Sequence, residues 1–304
     1  MSLSRLPIEL LQRIADDFPR IEDMSALARV DRECHGKVNH RMYQRDARLG
    51  SSALLWAARH NNMDTARRSM AAGGRVDNTT GTFRSSPLHV AASFGKIEVA
   101  KLLISHGADL HAECSNGLTP LHFAIMKGRV QMVTTLLGAG ASPKALTGSL
   151  QFTPLHIACF SGRPDMVATL LRHGAYVYTK DRNGETPLHW AVQGSITLGR
   201  GQGGLTTRWY EQRSVMVTSR ELRRQKLCGC AGGLQVVKLL MEKKAEQQMS
   251  NAELAALVKL MEKTQCINGR GGYGGLRHWQ VFHEQLLALI REKAQSAGRK
   301  CAIW

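Results

Sequence analysis

Proline followed by Leu-His occurs at Pro87, Pro120, Pro154 and Pro187, at spacings of 33, 34 and 33 residues. The surrounding segments read SPLHVAA, TPLHFAI, TPLHIAC and TPLHWAV. A second landmark keeps the period: VAKLLISHGAD, MVTTLLGAGAS and MVATLLRHGAY carry Gly107-Ala108, Gly140-Ala141 and Gly174-Ala175. An earlier degenerate copy, ALLWAARHNNMDTARRSMAAGGRVD, starts at Ala53 without the proline or the histidine. A fixed period of this length means one supersecondary unit written several times. Each copy is too small to bury its own apolar face and is stable only against its neighbours.

The residue types explain how each copy folds. Ser or Thr before the proline can cap the free amides of a helix start, and proline at the first helical position loses no hydrogen bond. Small Ala91, Ala92, Ala124 and Ala158 let helices approach closely, and the Leu pairs 102/103, 136/137 and 170/171 supply the buried face of the second helix. Glycine after each second helix suits a left-handed residue that stops it. His89, His122, His156 and His189 could suggest metal, but packed helices lie about 8–10 Å apart, whereas two ligands on one zinc need nitrogens within roughly 4 Å. Successive copies cannot meet that demand, so the histidines are read as architecture.

On these residues the units resemble ankyrin repeats, whose signature is Thr-Pro-Leu-His. The resemblance implies an all-α fold, an ankyrin-repeat solenoid of helix-turn-helix repeats with loop or hairpin connections. It also implies that each motif imidazole hydrogen-bonds cap and loop backbone, making Pro87, His89, Pro120, His122, Pro154, His156, Pro187 and His189 the structural repeat motif.

The fifth copy is interrupted. With residues 194–230 removed it reads TPLHWAVQ followed by AGGLQVVKLLMEKKA, in register with TPLHIACFSGRPDMVATLLRHGA of the fourth. The excised piece falls between the two helices of one repeat, is rich in Gly, Thr and Arg, and carries seven basic residues against two acidic. Helical or strand periodicity is not sustained in it before VTSRELRRQKL, so it reads as a flexible basic loop. Lengthening a turn about tenfold costs on the order of 2 kcal/mol, which a repeat stack tolerates. Two origins stand: a surface loop able to recruit an acidic partner, or translated non-coding sequence. Within it, Gly199-Arg200-Gly201-Gln202-Gly203-Gly204 lacks the strand and the Lys-Ser/Thr helix of a phosphate loop. Cys228 and Cys230 lack a second pair at zinc-finger spacing.

Ahead of the repeats, Leu6, Leu10, Leu11, Ile14 and Phe18 recur at helical spacing. Asp23 can cap a second helix through Met24, Leu27 and Val30, and Val38, Met42 and Tyr43 suggest a third. So small a unit has a marginal core and leans on a neighbour. The order Leu-Pro-x-Glu-Leu-Leu, an Asp-led helix, then Val-x-Arg and a closing Met-Tyr resembles an F-box. It is similar above all to fungal proteins in which an F-box runs through Arg-Asp-Ala-Arg into Ala-Leu-Leu-Trp-Ala-Ala and ankyrin repeats; here these are Arg45–Arg48 and Ala53–Ala58. That resemblance implies docking on the Skp-type adaptor of a cullin ubiquitin ligase, with Leu6, Pro7, Leu10, Ile14 and Leu27 as anchors. Met24 departs from the family, where Leu often follows the Asp. The competing reading is that the same helices only cap the N-terminal end of the stack.

The expected domains are therefore 4–48, F-box-like; 51–247, ankyrin repeats with the insertion at 194–230; and 248–304, C-terminal helices covering the other end. In the last, Ser250-Asn251-Ala252-Glu253 is a capping box before Leu254, Leu257, Val258 and Met261, and Trp279, Phe282, Leu286, Leu289 and Ile290 form another apolar stripe. Between them the single Arg270-Gly271-Gly272 copy reads as a linker rather than an RNA-contacting segment. Cys301-Ala302-Ile303-Trp304 has the outline of a prenylation box, but Trp is not a usual final residue.

Charge is uneven. The formal net charge is +17; residues 1–50 hold 9 basic and 8 acidic residues, 51–116 hold 7 and 5, and 117–304 hold 25 and 11. Such a field favours acidic proteins or polyanions without specifying a sequence; it can also serve solubility alone. Seven scattered cysteines, no secretory signal and no membrane-length apolar run point to the cytoplasm or nucleus, with free thiols and no membrane partner. No nucleophile, base and orienting group share adjacent elements, so neither an enzyme nor a cofactor is expected.

The resemblances imply two functions. One is a substrate receptor, with the F-box tethering the ligase and a client held by Phe94, Met126, Lys127, Phe160 and Arg182. Phe94, Met126 and Phe160 are expected there as exposed apolar residues on consecutive repeats. The other is an ankyrin scaffold without a ubiquitin role, whose basic C-terminal half meets an acidic protein or nucleic acid.

Overall fold

The structure, a computed structural model, describes residues 43–48, 50, 52–79, 84–148, 150–199 and 229–243, with single positions 284, 285, 287, 288 and 292. The chain divides into two compact units, residues 1–115 and 116–304. Among the described residues the regular structure is helical, with no strand.

In the first unit, α1 (Ser52–His60) and α2 (Met63–Ala71) form one helix pair, and α3 (Pro87–Phe94) and α4 (Ile97–Ser105) the next. α1 packs on α2 and α3, and α3 on α4. Leu54, Ala57, Ala58, Leu88, Ala91, Ala92, Val99 and Leu103 are wholly buried between them. The alanines are what permit such close packing. Residues 43–48 are helical, and within this run the buried Asp46 serves α1: its carboxylate accepts from Ser52 N (2.9 Å), Ser52 Oγ (2.5 Å) and Ala53 N (2.9 Å). A carboxylate at a helix N-terminus satisfies free amides and meets the positive end of the helix dipole.

The second unit holds α5 (Pro120–Met126), α6 (Val130–Gly138), α7 (Pro154–Phe160), α8 (Pro164–Arg172), α9 (Pro187–Gly199) and α10 (Gly229–Glu242). α5 packs on α6 and α7, α6 and α7 on α8, α7 on α9, and α10 on α9 and α8. Its core is more aromatic than alanine-based: Phe152, Phe160 and Trp190 are all at most 2% exposed. The Trp190 ring lies 5.2 Å from that of Phe152 and 6.2 Å from that of Phe160.

Each first helix stops for a local reason. Eight residues beyond the motif proline stand Gly95, Gly128 and Gly162, with φ of 69°, 69° and 61°, a left-handed backbone that ends a helix at little cost only for glycine. After Pro187 that position is Ser195, and α9 runs on to Gly199. Residues 194–199, expected in the flexible loop, are thus helical because the stop residue is missing. Gly194 also fits where nothing larger does: a Cβ there would lie 2.1 Å from the Phe160 carbonyl oxygen. Residues 200–228 lie outside the described residues. When the helix pair resumes in α10, Val236, Val237 and Leu240 are buried, in register with Met166, Val167 and Leu170 of α8.

The F-box-like residues 4–42, including the proposed anchors Leu6, Pro7, Leu10, Ile14 and Leu27, lie outside the described residues. So do the capping box at 250–253 and the stripes from Leu254 and Trp279. At the C-terminal end, Leu287 is helical and buried.

Candidate interaction surface

The four motif histidines are bound into helix starts. The backbone N–H of Ser86, Thr119, Thr153 and Thr186 donates to Nδ1 of His89, His122, His156 and His189 at 3.2, 3.1, 3.0 and 3.2 Å. Each cap hydroxyl lies 2.8–2.9 Å from the same nitrogen. An imidazole nitrogen that accepts from an amide carries no proton, so the proton sits on Nε2. In His156 that Nε2 donates to Glu185 O at 3.2 Å, tying one repeat to the loop of the next. His89, His122 and His156 are fully buried and His189 is half-buried. Among the described residues no group of His, Cys, Asp and Glu could hold a metal ion.

Between repeats the turn of α7 and α8 is locked by Arg163. Its guanidinium donates to Gly128 O at 3.3 Å and fills the space that a side chain on Gly128 would need. Burial holds this guanidinium below its ordinary pKa; nearby Asp165 opposes that shift and Arg129 adds to it. Cys114 and Cys159 are buried free thiols, and burial pushes the Cys159 thiol well up.

The expected client residues separate. Phe94 is 41% exposed, with the Arg59 guanidinium 5.2 Å from its ring centroid. Arg182 is exposed and Lys127 half-buried. Met126 and Phe160, at 5% and 1% exposure, offer no side chain to a client, and the expected apolar cluster on consecutive repeats does not form. The physical reason is register. Phe94 is seven residues past its proline, while Met126 and Phe160 are six past theirs, and one residue turns a side chain by about 100° around the helix. At that inward position Phe160 packs edge-on against Trp190, with the rings inclined at 78°.

The loops carry what the motif reading missed. Along residues 144–148 and 176–182, exposure alternates. Lys144, Leu146 and Gly148 face out around half-buried Ala145 and buried Thr147; Tyr176, Tyr178, Lys180 and Arg182 face out around half-buried Val177 and Thr179 and buried Asp181. The buried members fold the loops. Thr147 Oγ1 accepts from Phe152 N at 3.1 Å. Asp181 accepts from Asn183 N and Glu185 N, both at 2.9 Å, and from the Trp190 indole N–H at 3.2 Å.

With the frame so held, the outer side chains organise one another. Tyr176 and Tyr178 stack with ring centroids 5.8 Å apart, and Lys144 Nζ sits 3.9 Å from the Tyr176 ring centroid while donating to its Oη at 2.7 Å. The sequence signal was present: counted from Gly174-Ala175, the alternate positions carry Tyr-x-Tyr in a loop that needs no aromatic residue. The first unit has a smaller exposed group on α1 and α3, where Trp56 stacks on His60 at 4.4 Å beside the Arg59 and Phe94 pair.

Paired helices with Pro-capped starts, glycine stops and outward loops define a helical repeat protein. The chain matches the ankyrin-repeat family, described as Ankyrin repeats (3 copies), over residues 34–111, 54–147 and 139–198, and with more than half its length so covered it belongs to that family. It is a protein–protein interaction module. Ankyrin repeat domain-containing protein 49 of Bos taurus is 42% identical over 62 residues, which are 20% of this chain and 26% of that protein. BRCA1-associated RING domain protein 1 of Caenorhabditis elegans is 32% identical over 109 residues, 36% of this chain and 15% of that protein. Tyrosine-protein kinase Shark of Drosophila melanogaster is 32% identical over 117 residues, 38% and 12%. The chain thus spans about a quarter or less of each of these animal relatives. Among the described residues no helix is long and apolar enough to cross a membrane.

Proposed function

We propose that the chain is a non-enzymatic receptor whose repeats hold a client protein and whose first helices tether it to the Skp-type adaptor of a cullin ubiquitin ligase. The client half rests on one observation: an exposed aromatic and cationic loop surface sits on a frame whose folding is done by other residues, Thr147 and Asp181. Phe94 in the first unit, and Lys127 and Arg182 in the second, are further client contacts. The tether half is supported by the Leu-Pro-x-Glu-Leu-Leu order at residues 6–11, with Leu6, Pro7, Leu10, Ile14 and Leu27 as anchors, and by the Arg45–Arg48 junction. Residues 51–247 are the receptor's repeats, and 248–304 cover the end of the stack.

A second reading is favoured by Asp46. Because this carboxylate caps α1, the end of the N-terminal segment is structurally part of the repeats. The chain is then a scaffold with a helical cap and no ubiquitin link, meeting an acidic protein or nucleic acid through its basic C-terminal half. Co-purification with the Skp-type adaptor separates the two. The receptor reading expects capture by the wild type and loss of capture by Leu10→Asp. Capture retained by the variant rejects the docking face, and no capture by either protein favours the scaffold.

A further inference from the structure

We infer that the loop surface formed by Lys144, Leu146, Tyr176 and Tyr178, flanked by Lys180 and Arg182, is a docking site for an extended acidic segment of a partner protein with apolar residues among its acids. The inference rests on the reading of the repeats as a client-holding surface and assigns the chemistry of what is held. Four observations carry it.

First, the repeat does not require tyrosines or cations at these positions. The corresponding loop of the first unit has the same alternation of exposure but presents Asp109, His111 and Glu113 outward, with Cys114 buried where Thr147 and Asp181 sit. There the outward Asp109 itself helps close the loop, its Oδ1 accepting from His111 N at 2.8 Å, whereas here buried Thr147 and Asp181 accept the loop amides and the tyrosines and cations stand outside that work. Second, the surface is pre-organised. Lys144 is held by the ring and hydroxyl of Tyr176, and Tyr176 by stacking on Tyr178, so little side-chain freedom remains to be lost on binding.

Third, the apolar area is real: Leu146, Tyr176 and Tyr178 are 47%, 48% and 42% exposed, and aromatic anchors beside cations are the composition of binding hot spots. Fourth, charge selects the occupant. The Asp181 carboxylate is turned inward onto two amides and the indole, the outward charges on these loops include Lys144, Lys180 and Arg182, and residues 117–199 carry 7 basic against 3 acidic side chains. An acidic segment is drawn to such a field, and its apolar residues cover Leu146 and the rings. A nucleic acid would use the same field but has no need of Leu146.

The test uses the full chain and a fluorescein-labelled peptide of three Asp-Glu-Leu-Phe repeats, in which each face of an extended strand alternates acid with apolar residue. Fluorescence anisotropy should report binding that weakens with salt, falls at least tenfold in Tyr176→Ala/Tyr178→Ala and at least fivefold in Lys144→Glu, and is absent for the same peptide with Lys in place of both acids. No binding by the wild type overturns the inference, as does unchanged affinity in the tyrosine variant. A single-stranded oligo-dT that competes fully while the tyrosine variant still binds the peptide marks a non-specific polyanion field, and overturns it too. Circular dichroism of the variants checks that the fold is kept. Adaptor co-purification with the tyrosine variant separates the failures: intact capture without peptide binding by the wild type is failure at this surface, and peptide binding without capture is failure of the ligase tether.

Discussion

Asp181 joins the core of the second unit to the surface it displays, and its replacement gives a worked test of that link. Its Oδ1 accepts two loop amides, Asn183 N and Glu185 N, and its Oδ2 accepts the indole N–H of Trp190, a residue 1% exposed. The loop amides can turn to water when the carboxylate is removed, so each costs about 1 kcal/mol, whereas the buried indole N–H is left unsatisfied at about 2 kcal/mol. Asp181→Ala should therefore cost roughly 3–4 kcal/mol. Asp181→Asn keeps one carbonyl oxygen for the amides but sets an NH2 against the indole N–H, and should cost about 2 kcal/mol. At about 2–4 °C per kcal/mol, thermal unfolding followed by far-ultraviolet circular dichroism should fall by roughly 10 °C for Ala and 5 °C for Asn. In a Trp190→Phe background the indole donor is gone, so the Asn substitution should cost less than about 1 kcal/mol there, a coupling that a double-mutant cycle reads directly. An Asn variant as damaging as Ala, or an Asn cost unchanged by Trp190→Phe, would refute the assignment of Asp181 as the link.

Two further outcomes test the packing. The Cys159 thiol, held up by burial, stays protonated when folded while the unfolded thiol ionises near ~8.5, so the unfolded state binds fewer protons above that pH and stability is lost as pH rises, by up to about 1.4 kcal/mol per unit, with no effect below it. Urea unfolding should show the gap between wild type and Cys159→Ala narrowing from about pH 8 to about pH 10, and a constant gap would mean that the thiol is not desolvated. Gly194→Ala should destabilise by about 2–3 kcal/mol because its methyl meets the Phe160 carbonyl, while Gly138→Ala, with open space around it at the end of α6, should stabilise by about 0.5–1 kcal/mol. Denaturation midpoints moving the same way in both variants would contradict the path of α9 past Phe160.

What could be read in the sequence was what is decided within a few residues. Ser86 and Thr119, Thr153 and Thr186 cap helices because cap, proline and histidine are neighbours in the chain, and no distant contact is needed. The Leu pairs were legible to the same degree: Leu103, Leu136, Leu137 and Leu170 are buried, while Leu102 and Leu171 at the edges of their stripes are only half so. The candidate surface was less legible. Whether a loop tyrosine stacks outward or a phenylalanine turns inward depends on the next repeat, about 33 residues on, and composition at one position does not report it.

Register, more than residue type, is the variable that carries this information. Counted from each motif proline, position six holds Ser93, Met126, Phe160 and Gln193, and position seven holds Phe94, Lys127, Ser161 and Gly194. Aromatic and sulfur side chains at position six are buried, while the phenylalanine at position seven is exposed, so grouping Phe94 with Met126 and Phe160 by chemistry alone mixed two faces of the helix. The same count explains the fifth repeat. Position eight is glycine three times and serine once, and α9 alone runs past it. Restoring the stop with Ser195→Gly therefore acts on the helix terminus without touching the buried positions Leu188, Trp190 and Val192. A shorter α9 in that variant, with the Trp190 environment unchanged by fluorescence, is the outcome that a locally encoded boundary requires. A helix of unchanged length would place the cause in the packing of Gly194 on Phe160 instead.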